Sequence, residues 1–339
     1  MLKIYTDHNF LNENNRRKIF PLLFDIVYVP NDKTKLNFVL TDSLSEADIA
    51  IFPVDVISFL KKDKTGFFQK WIKKMSIYDI PIWIYTTGDF GFTLNNQNVT
   101  TFRLGGFNSK LNTKTQIMPC FVNDPYREIV KNDFFVLSKE LMPTIGFVGN
   151  ANATLSKWMT ELYLYFRRSV FNLILKRPED YQPFYPVSKK RFQLLKKIQR
   201  EEKVKTDFIF RDKYRARDQS IEQTTFEFFK NIEENLYTFC IRGNGNFSVR
   251  FYEALIMGRI PILIDTDVRL PLKDFIDWNK YCVIVSENSL IEDLIQFHSS
   301  KTEQELKEMQ KNNRKLMLEK LNRIDYFIQI GTTYNLKKK

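Results

Sequence analysis

The stretch that decides the fold runs Tyr237-Thr238-Phe239-Cys240-Ile241-Arg242-Gly243-Asn244-Gly245-Asn246-Phe247-Ser248-Val249-Arg250-Phe251-Tyr252-Glu253-Ala254-Leu255-Ile256-Met257-Gly258-Arg259-Ile260-Pro261-Ile262-Leu263-Ile264. Tyr237–Ile241 is short and apolar, which suits a buried parallel strand. A glycine- and asparagine-rich loop follows, and Ser248 stands where a helix begins. The helix Ser248–Met257 closes at Gly258, the residue type that ends helices in the left-handed conformation. A second buried strand, Ile260–Ile264, comes next. Strand, turn, helix and strand in this order define a βαβ unit. Glycines let a ligand approach the backbone, and a helix N-terminus offers unpaired N–H groups and the positive end of a dipole. Arg242 and Arg250 flank the loop with forked donors suited to a diphosphate. Glu253 lies three residues after Arg250 on the same helix face, where a carboxylate accepts from ribose hydroxyls. On chemistry alone a purely structural turn, with Glu253 paired to Arg250, stays open.

Outward from this unit the chain keeps the α/β pattern. Strand-like runs at Leu2–Tyr5, Asp25–Val29, Asp48–Pro53 and Pro81–Tyr85, with a helix at Phe67–Met75, predict one α/β layer. Pro143–Asn150 restarts the pattern as a strand, followed by a long helix over Leu155–Leu175. A strand at Phe208–Phe210, a helix at Ile221–Ile232, a strand at Tyr281–Val285 and a helix at Ser289–Phe297 complete a second layer. The expected domains are residues 1–140 and 141–300, with an amphipathic helix over Glu303–Ile324 and a basic tail making up 301–339. The ligand of such a chain is expected in the cleft between the two sheets' carboxyl ends.

Composition narrows the functions. The 339 residues are 43% apolar and 27% charged, ordinary for a globular chain that builds its core without staples. Cys120, Cys240 and Cys282 are scattered, and only His8 and His298 exist, which argues against a zinc or iron–sulfur centre. No Gly-x-Ser-x-Gly elbow supports a serine hydrolase. Met1–Asp7 has no signal-peptide core, and no apolar run approaches the roughly 20 residues that cross a bilayer, so a cytoplasmic chain is expected. The formal charge of +12 is concentrated: Lys157–Arg217 holds 17 Lys and Arg against 7 Asp and Glu, and Lys301–Lys339 holds 10 against 5. Such zones suit a polyanion, an anionic membrane or a phosphate-bearing ligand, or they are solvated helix faces.

The quoted stretch resembles the carboxyl-terminal half of exostosin-type glycosyltransferases, glycosyltransferase family 47. The resemblance rests on Arg242-Gly243, then Ser248-Val249-Arg250-Phe251-Tyr252-Glu253-Ala254-Leu255, then Gly258-Arg259-Ile260-Pro261, Leu270-Pro271 and Ile276-Asp277-Trp278, in order and spacing over about 45 residues. It implies an α/β fold of GT-B architecture, two Rossmann-like domains facing across a cleft, in a compact microbial-type member without the family's secretory anchor. It implies an inverting, metal-independent transfer of a sugar from a nucleoside diphosphate sugar, a UDP-sugar as first choice, to a glycan or lipid-linked acceptor in cell-surface polysaccharide synthesis. No cofactor is then required, and the partners are the donor and the acceptor, not nucleic acid. By the same resemblance Arg242 and Arg250 hold the diphosphate, Gly243 and Ser248 meet phosphate beside the loop, and Glu253 holds the ribose. Arg168, with Arg167 on the long helix after Gly149, is a further candidate for the donor phosphates.

An inverting transferase wants a general base near the acceptor hydroxyl. Asp89, in Thr86-Thr87-Gly88-Asp89-Phe90-Gly91 after a strand, is the first choice; His8 or Asp7, after the first strand, is the second. Two rival readings remain. Asp265-Thr266-Asp267 is the one Asp-x-Asp of the chain and would serve a GT-A-like, metal-dependent transferase. The basic zone with its interleaved aromatics would serve a non-catalytic polyanion or nucleic-acid binder. Contact of the basic zone and lysine tail with an anionic inner membrane face is a further expectation.

Overall fold

The computed structural model describes residues 1–175, 179–211 and 220–337. Parts of the expected basic zone and tail, Lys176 and Arg177, the stretch 212–217, and Lys338 and Lys339, lie outside the described residues.

Eleven strands form two sheets among the described residues. The first contains β1 (Leu2–Tyr5), β2 (Phe38–Thr41), β3 (Ile49–Ile51), β4 (Ile82–Tyr85), β5 (Val99–Arg103) and β6 (Thr115–Ile117), in the order β2-β1-β3-β4-β5-β6. The second contains β7 (Thr144–Asn150), β8 (Lys205–Arg211), β9 (Tyr237–Cys240), β10 (Ile260–Ile264) and β11 (Val283–Val285), in the order β11-β10-β9-β7-β8. Every pairing is parallel. Both sheets therefore repeat one plan: the second strand lies outside the first and the later strands run the other way. That reversal opens a crevice between β1 and β3 and another between β7 and β9, at the carboxyl ends where such sheets bind ligands. Strands such as Ile49-Ala50-Ile51 are fully buried, as expected when helices cover both faces.

Helices α1 (Pro21–Tyr28), α2 (Asp32–Asn37), α3 (Val56–Leu60) and α4 (Phe67–Ile77) serve the first sheet. The second has α5 (Leu155–Ile174), α6 (Val187–Gln199), α7 (Ile221–Glu234), α8 (Val249–Ile256) and α9 (Leu290–Ser300), followed by α10 (Glu303–Glu319) and α11 (Arg323–Lys337). The two Rossmann-like layers meet across a cleft, which is the GT-B arrangement.

Three expectations change. Asp25–Val29 is not a strand but the second half of α1. Pro21 presets its first turn, and Leu22, Leu23 and Asp25 are buried together along one side. The strand beside β1 is Phe38–Thr41 instead. The single helix expected over Glu303–Ile324 is two. The first ends at Glu319; Leu321 is buried, and Asn322 accepts from the Asp325 N–H at 3.0 Å, starting a new helix.

These two helices reach both layers. α10 packs on the second domain, where Asn313 donates to the carbonyls of Arg259 at 2.8 Å and Tyr281 at 2.9 Å. α11 crosses back to the first. Phe327 packs its ring 5.4 Å from that of Phe20 and 5.5 Å from that of Phe102. Arg323 pairs with buried Asp25, and Tyr326 donates to the Ile117 carbonyl at 2.9 Å. Because Phe327 is fully buried against the first sheet, Phe327→Ala is expected to lower the unfolding free energy by about 3–5 kcal/mol, read from denaturant unfolding.

Candidate functional site

The site grows from the β7/β9 crevice. After β9 the chain passes through Ile241 and Arg242 into the loop, which Gly243 closes by donating its N–H to the Phe247 carbonyl at 3.1 Å. Gly245, not Gly243, is the glycine that packing requires: a Cβ there would lie 2.2 Å from the Asp89 carbonyl oxygen of the first domain. A Cβ on Gly243 would meet nothing within 4 Å, so space lies open beside that backbone. Ser248 is the N-cap of α8, but its side chain makes no capping hydrogen bond.

Three guanidiniums gather here. Arg250, in the first turn of α8, donates to the Val148 carbonyl of β7 at 2.6 Å and sits 4.1 Å from the centre of the Phe147 ring. Arg191, on α6, donates to the Asn150 carbonyl at 2.8 Å and lies 5.9 Å from the same ring. Burial, then the neighbouring Arg250 charge, pull the Arg191 pKa down to about 10. Its Nε has no hydrogen-bond partner among the described residues. Arg242 is 4% exposed and held in the loop by the carbonyls of Gly243 at 3.2 Å and Asn244 at 2.7 Å. It lies between the rings of Phe107 and Tyr185, at 5.1 and 4.9 Å, and burial lowers its pKa too. Among the described residues no ion pair within 4.0 Å links Arg191 or Arg242 to a carboxylate. Glu161 and Asp89 act on Arg191 and Arg242 only at longer range, which leaves the pocket suited to an anion.

Glu253 faces this cluster from one turn along α8. Burial pushes its carboxyl up to about 7, and Arg250 pulls against that shift. The buried thiols of Cys120 and Cys240 lie within its electrostatic reach.

Beside the loop a cleft of about 730 Å³ runs between the domains, with Lys61 and Phe90 on one side and Lys157, Arg168, Tyr185 and Asn244 on the other. Arg168 is part of this wall rather than a free cation. It pairs with Glu179 and stacks 3.3 Å from the centre of the Phe90 ring, and Glu179 also takes Lys61 at 3.6 Å. Arg167, also on the wall, is exposed.

Asp89 stands in a turn between Gly88 and Gly91, both at positive φ (84° and 63°). A Cβ on Gly91 would strike the Arg103 guanidinium at 2.5 Å. Arg103, 1% exposed, props the turn by donating to the Phe90 carbonyl while pairing with Asp180. The Asp89 carboxylate acts electrostatically on Arg242, so the fold brings it to the second domain's loop. His8 is placed differently. It is half exposed and 3.4 Å from Asp42, and Asp7 accepts from the Asn9 N–H at 3.0 Å in the same turn.

Asp265 and Asp267 are spent on structure. Asp265 accepts from the N–H groups of Asp267 at 2.8 Å and Val268 at 3.3 Å. Asp267, at φ 61°, accepts from the Ser109 N–H at 3.2 Å across the domain boundary. Among the described residues no group of three or more His, Cys, Asp or Glu side chains is disposed to hold a metal ion.

The comparisons with known proteins bear on this half of the chain. Residues 184–300 match the Exostosin GT47 domain, so the resemblance read between Arg242 and Trp278 is shown for that stretch. The match takes in Arg191, Arg242, Ser248, Arg250 and Glu253. A probable glucuronosyltransferase of Oryza sativa subsp. japonica is 30% identical over 63 residues, 19% of this chain and 15% of that one. A probable beta-1,4-xylosyltransferase of Arabidopsis thaliana is 31% identical over 65 residues, 19% of this chain and 16% of that one. The chain thus matches less than a fifth of these relatives' length. A glycosyltransferase from Rickettsia africae superposes over 98% of both chains at 11% identity with a TM-score of 0.38, a likeness too loose to argue from.

Arg191 is the functional candidate that sequence reading missed. Its helix was unread, and no local motif ties it to Arg250; the signal was an apolar 3–4 spacing through Val187, Leu194, Leu195 and Ile198, all buried.

The Glu253 shift has a measurable consequence. The folded chain keeps this proton to about pH 7, whereas the ordinary carboxyl releases it near 4.5. Between those values the native state binds more protons than the unfolded state, so its stability falls as pH rises, and the loss is complete above about 7. Glu253→Gln, which stays neutral, is expected to gain stability relative to wild type across that window, read from denaturant unfolding at several pH values. A difference independent of pH would show that the carboxyl ionises normally.

Proposed function

We propose that the protein is a glycosyltransferase that moves a sugar from a nucleoside diphosphate sugar to a hydroxyl of a glycan or lipid-linked acceptor, with inversion and without metal. A UDP-sugar is the first-choice donor. The observation that carries this reading is the cluster of Arg191, Arg242 and Arg250 at the β7/β9 crevice, with the Arg191 Nε unpartnered among the described residues. The exostosin match over the same residues supports it.

In this reading Arg250 and Arg242 hold the diphosphate, joined by Arg191. Ser248 and the N–H groups at the start of α8 add donors, with the helix dipole favouring negative charge. The open space beside Gly243 admits the phosphates. Glu253, one turn along the same helix, accepts from the ribose hydroxyls. Arg168 shapes the cleft wall. Asp89 takes the proton of the acceptor hydroxyl as its oxygen bonds to the anomeric carbon. The bond from that carbon to the diphosphate oxygen breaks, and the departing charge falls to the guanidiniums, the role a metal plays elsewhere. His8 is the second choice of base, and its exposed position beside Asp42 disfavours it. The proposed location is the cytoplasm, at the inner membrane face; among the described residues no helix is long and apolar enough to cross a membrane.

Calorimetric titration with UDP, GDP and CMP, with and without a chelator, tests the donor site. One nucleotide is expected to bind regardless of chelator, and Glu253→Ala or Arg191→Ala is expected to weaken it about 10- to 100-fold, the worth of a hydrogen bond to a charged group. Absence of binding to all three, or affinity untouched by both substitutions, would sink the donor-site reading.

A further inference from the structure

Helix α5 presents a surface that the proposed reaction does not use. It spans 20 residues, about 30 Å of helix, and none of its residues is buried. Leu155, Met159, Tyr163, Phe166, Val170, Leu173 and Ile174 are each more than half exposed. Their spacing of three and four residues places them along one side of the helix. Water-soluble chains rarely leave so long a run of large apolar side chains in solvent. The polar content of α5 lies elsewhere: Glu161, its one acid, is half-buried toward the cleft, and Arg168 is paired with Glu179. The one charged residue of α5 in the exposed class, Arg167, is cationic.

We propose that this face of α5 docks on the surface of an anionic lipid bilayer. A cationic helix with an aromatic and aliphatic stripe lies in the membrane interface, the stripe entering the acyl boundary and the cations meeting acidic headgroups. Charge selects this occupant over a second copy of the chain: α5 carries Lys157, Arg167 and Arg168 against Glu161 alone, so two such helices would oppose like charges, while acidic lipid complements them. The helix lies on the bilayer and does not span it, consistent with the lack of a spanning helix among the described residues.

The docking has a consequence that rests on the proposed transfer reaction. Leu164 and Phe171 are exposed on α5 and also line the interdomain cleft, so the cleft mouth opens along the docked helix. An acceptor hydroxyl carried on an apolar anchor would enter from the bilayer while its anchor stays in the lipid.

The test is flotation of the full chain with vesicles of phosphatidylcholine alone and of phosphatidylcholine with one part in three phosphatidylglycerol, at low and high salt. The variant Met159→Ser/Phe166→Ser/Val170→Ser changes only exposed residues that do not line the cleft, and its thermal unfolding reports whether it folds. Wild type is expected to float with the acidic vesicles, and the triple variant to partition at least about tenfold less. Wild type that fails to float, or a folded variant that floats equally, overturns the proposal. Concentration-dependent dimers of wild type that the variant abolishes, without flotation, would assign the face to self-association. UDP titration of the wild type separates the two readings: flotation that the variant loses, without nucleotide binding, leaves the docking face standing and sinks the donor site, and nucleotide binding without flotation does the reverse.

Discussion

The molecule depends on a loop held between its two sheets. Asn246 is fully buried, and its amide reaches the carbonyls of Gly106 at 3.2 Å, Thr266 at 2.9 Å and Asp267 at 3.1 Å. Gly245 lies on the Asp89 backbone, closer than any side chain would allow. Just beyond, Arg269 reaches into the first domain and donates to the carbonyls of Asn108, Leu111 and Asn112, at 2.9, 2.8 and 2.8 Å. A buried amide or guanidinium is tolerable only with its donors satisfied, so these contacts set where the domains meet. The α8 N-terminus and the Asp89 turn face one another as a result, and neither sheet alone would make that site.

The same geometry explains the electrostatics. Among the described residues Arg191 and Arg242 are kept in place by backbone carbonyls and aromatic rings rather than by carboxylate ion pairs, and Arg250 donates to the Val148 carbonyl over the Phe147 ring. Carbonyls and ring faces orient a cation without neutralising it, so positive charge persists in a poorly hydrated crevice. Depressed arginine pKa values and a Glu253 carboxyl raised to about 7 are two expressions of this one environment. Arg103 and Arg168 differ in kind: paired with Asp180 and Glu179, they stiffen the cleft wall.

Much of this was legible in the chain because the signals are local. The segment from Tyr237 to Ile264 carries its strand, loop, cap and helix within thirty residues, and the grouping of Arg250 with Glu253 follows from helical spacing alone. Short segments were less decisive. Asp25–Val29 holds five residues, too few to separate a period of two from one of 3.6. Its helix is settled by Pro21 before it and by burial against α11, the far end of the chain.

By itself, then, the sequence determined the α/β class, the βαβ unit with its phosphate-suited turn, and the pairing of Arg242, Arg250 and Glu253 with that turn. Periodicity, capping and glycine placement act within a few residues and need no partner. Only the tertiary structure decided that Arg191 joins Arg250, that Gly245 is the glycine the interface requires, that α11 returns to the first domain, and that the apolar side of α5 is left uncovered. Each of these is a contact, or a missing contact, between segments far apart in the chain, and such contacts are chosen by packing and desolvation, which no local pattern records.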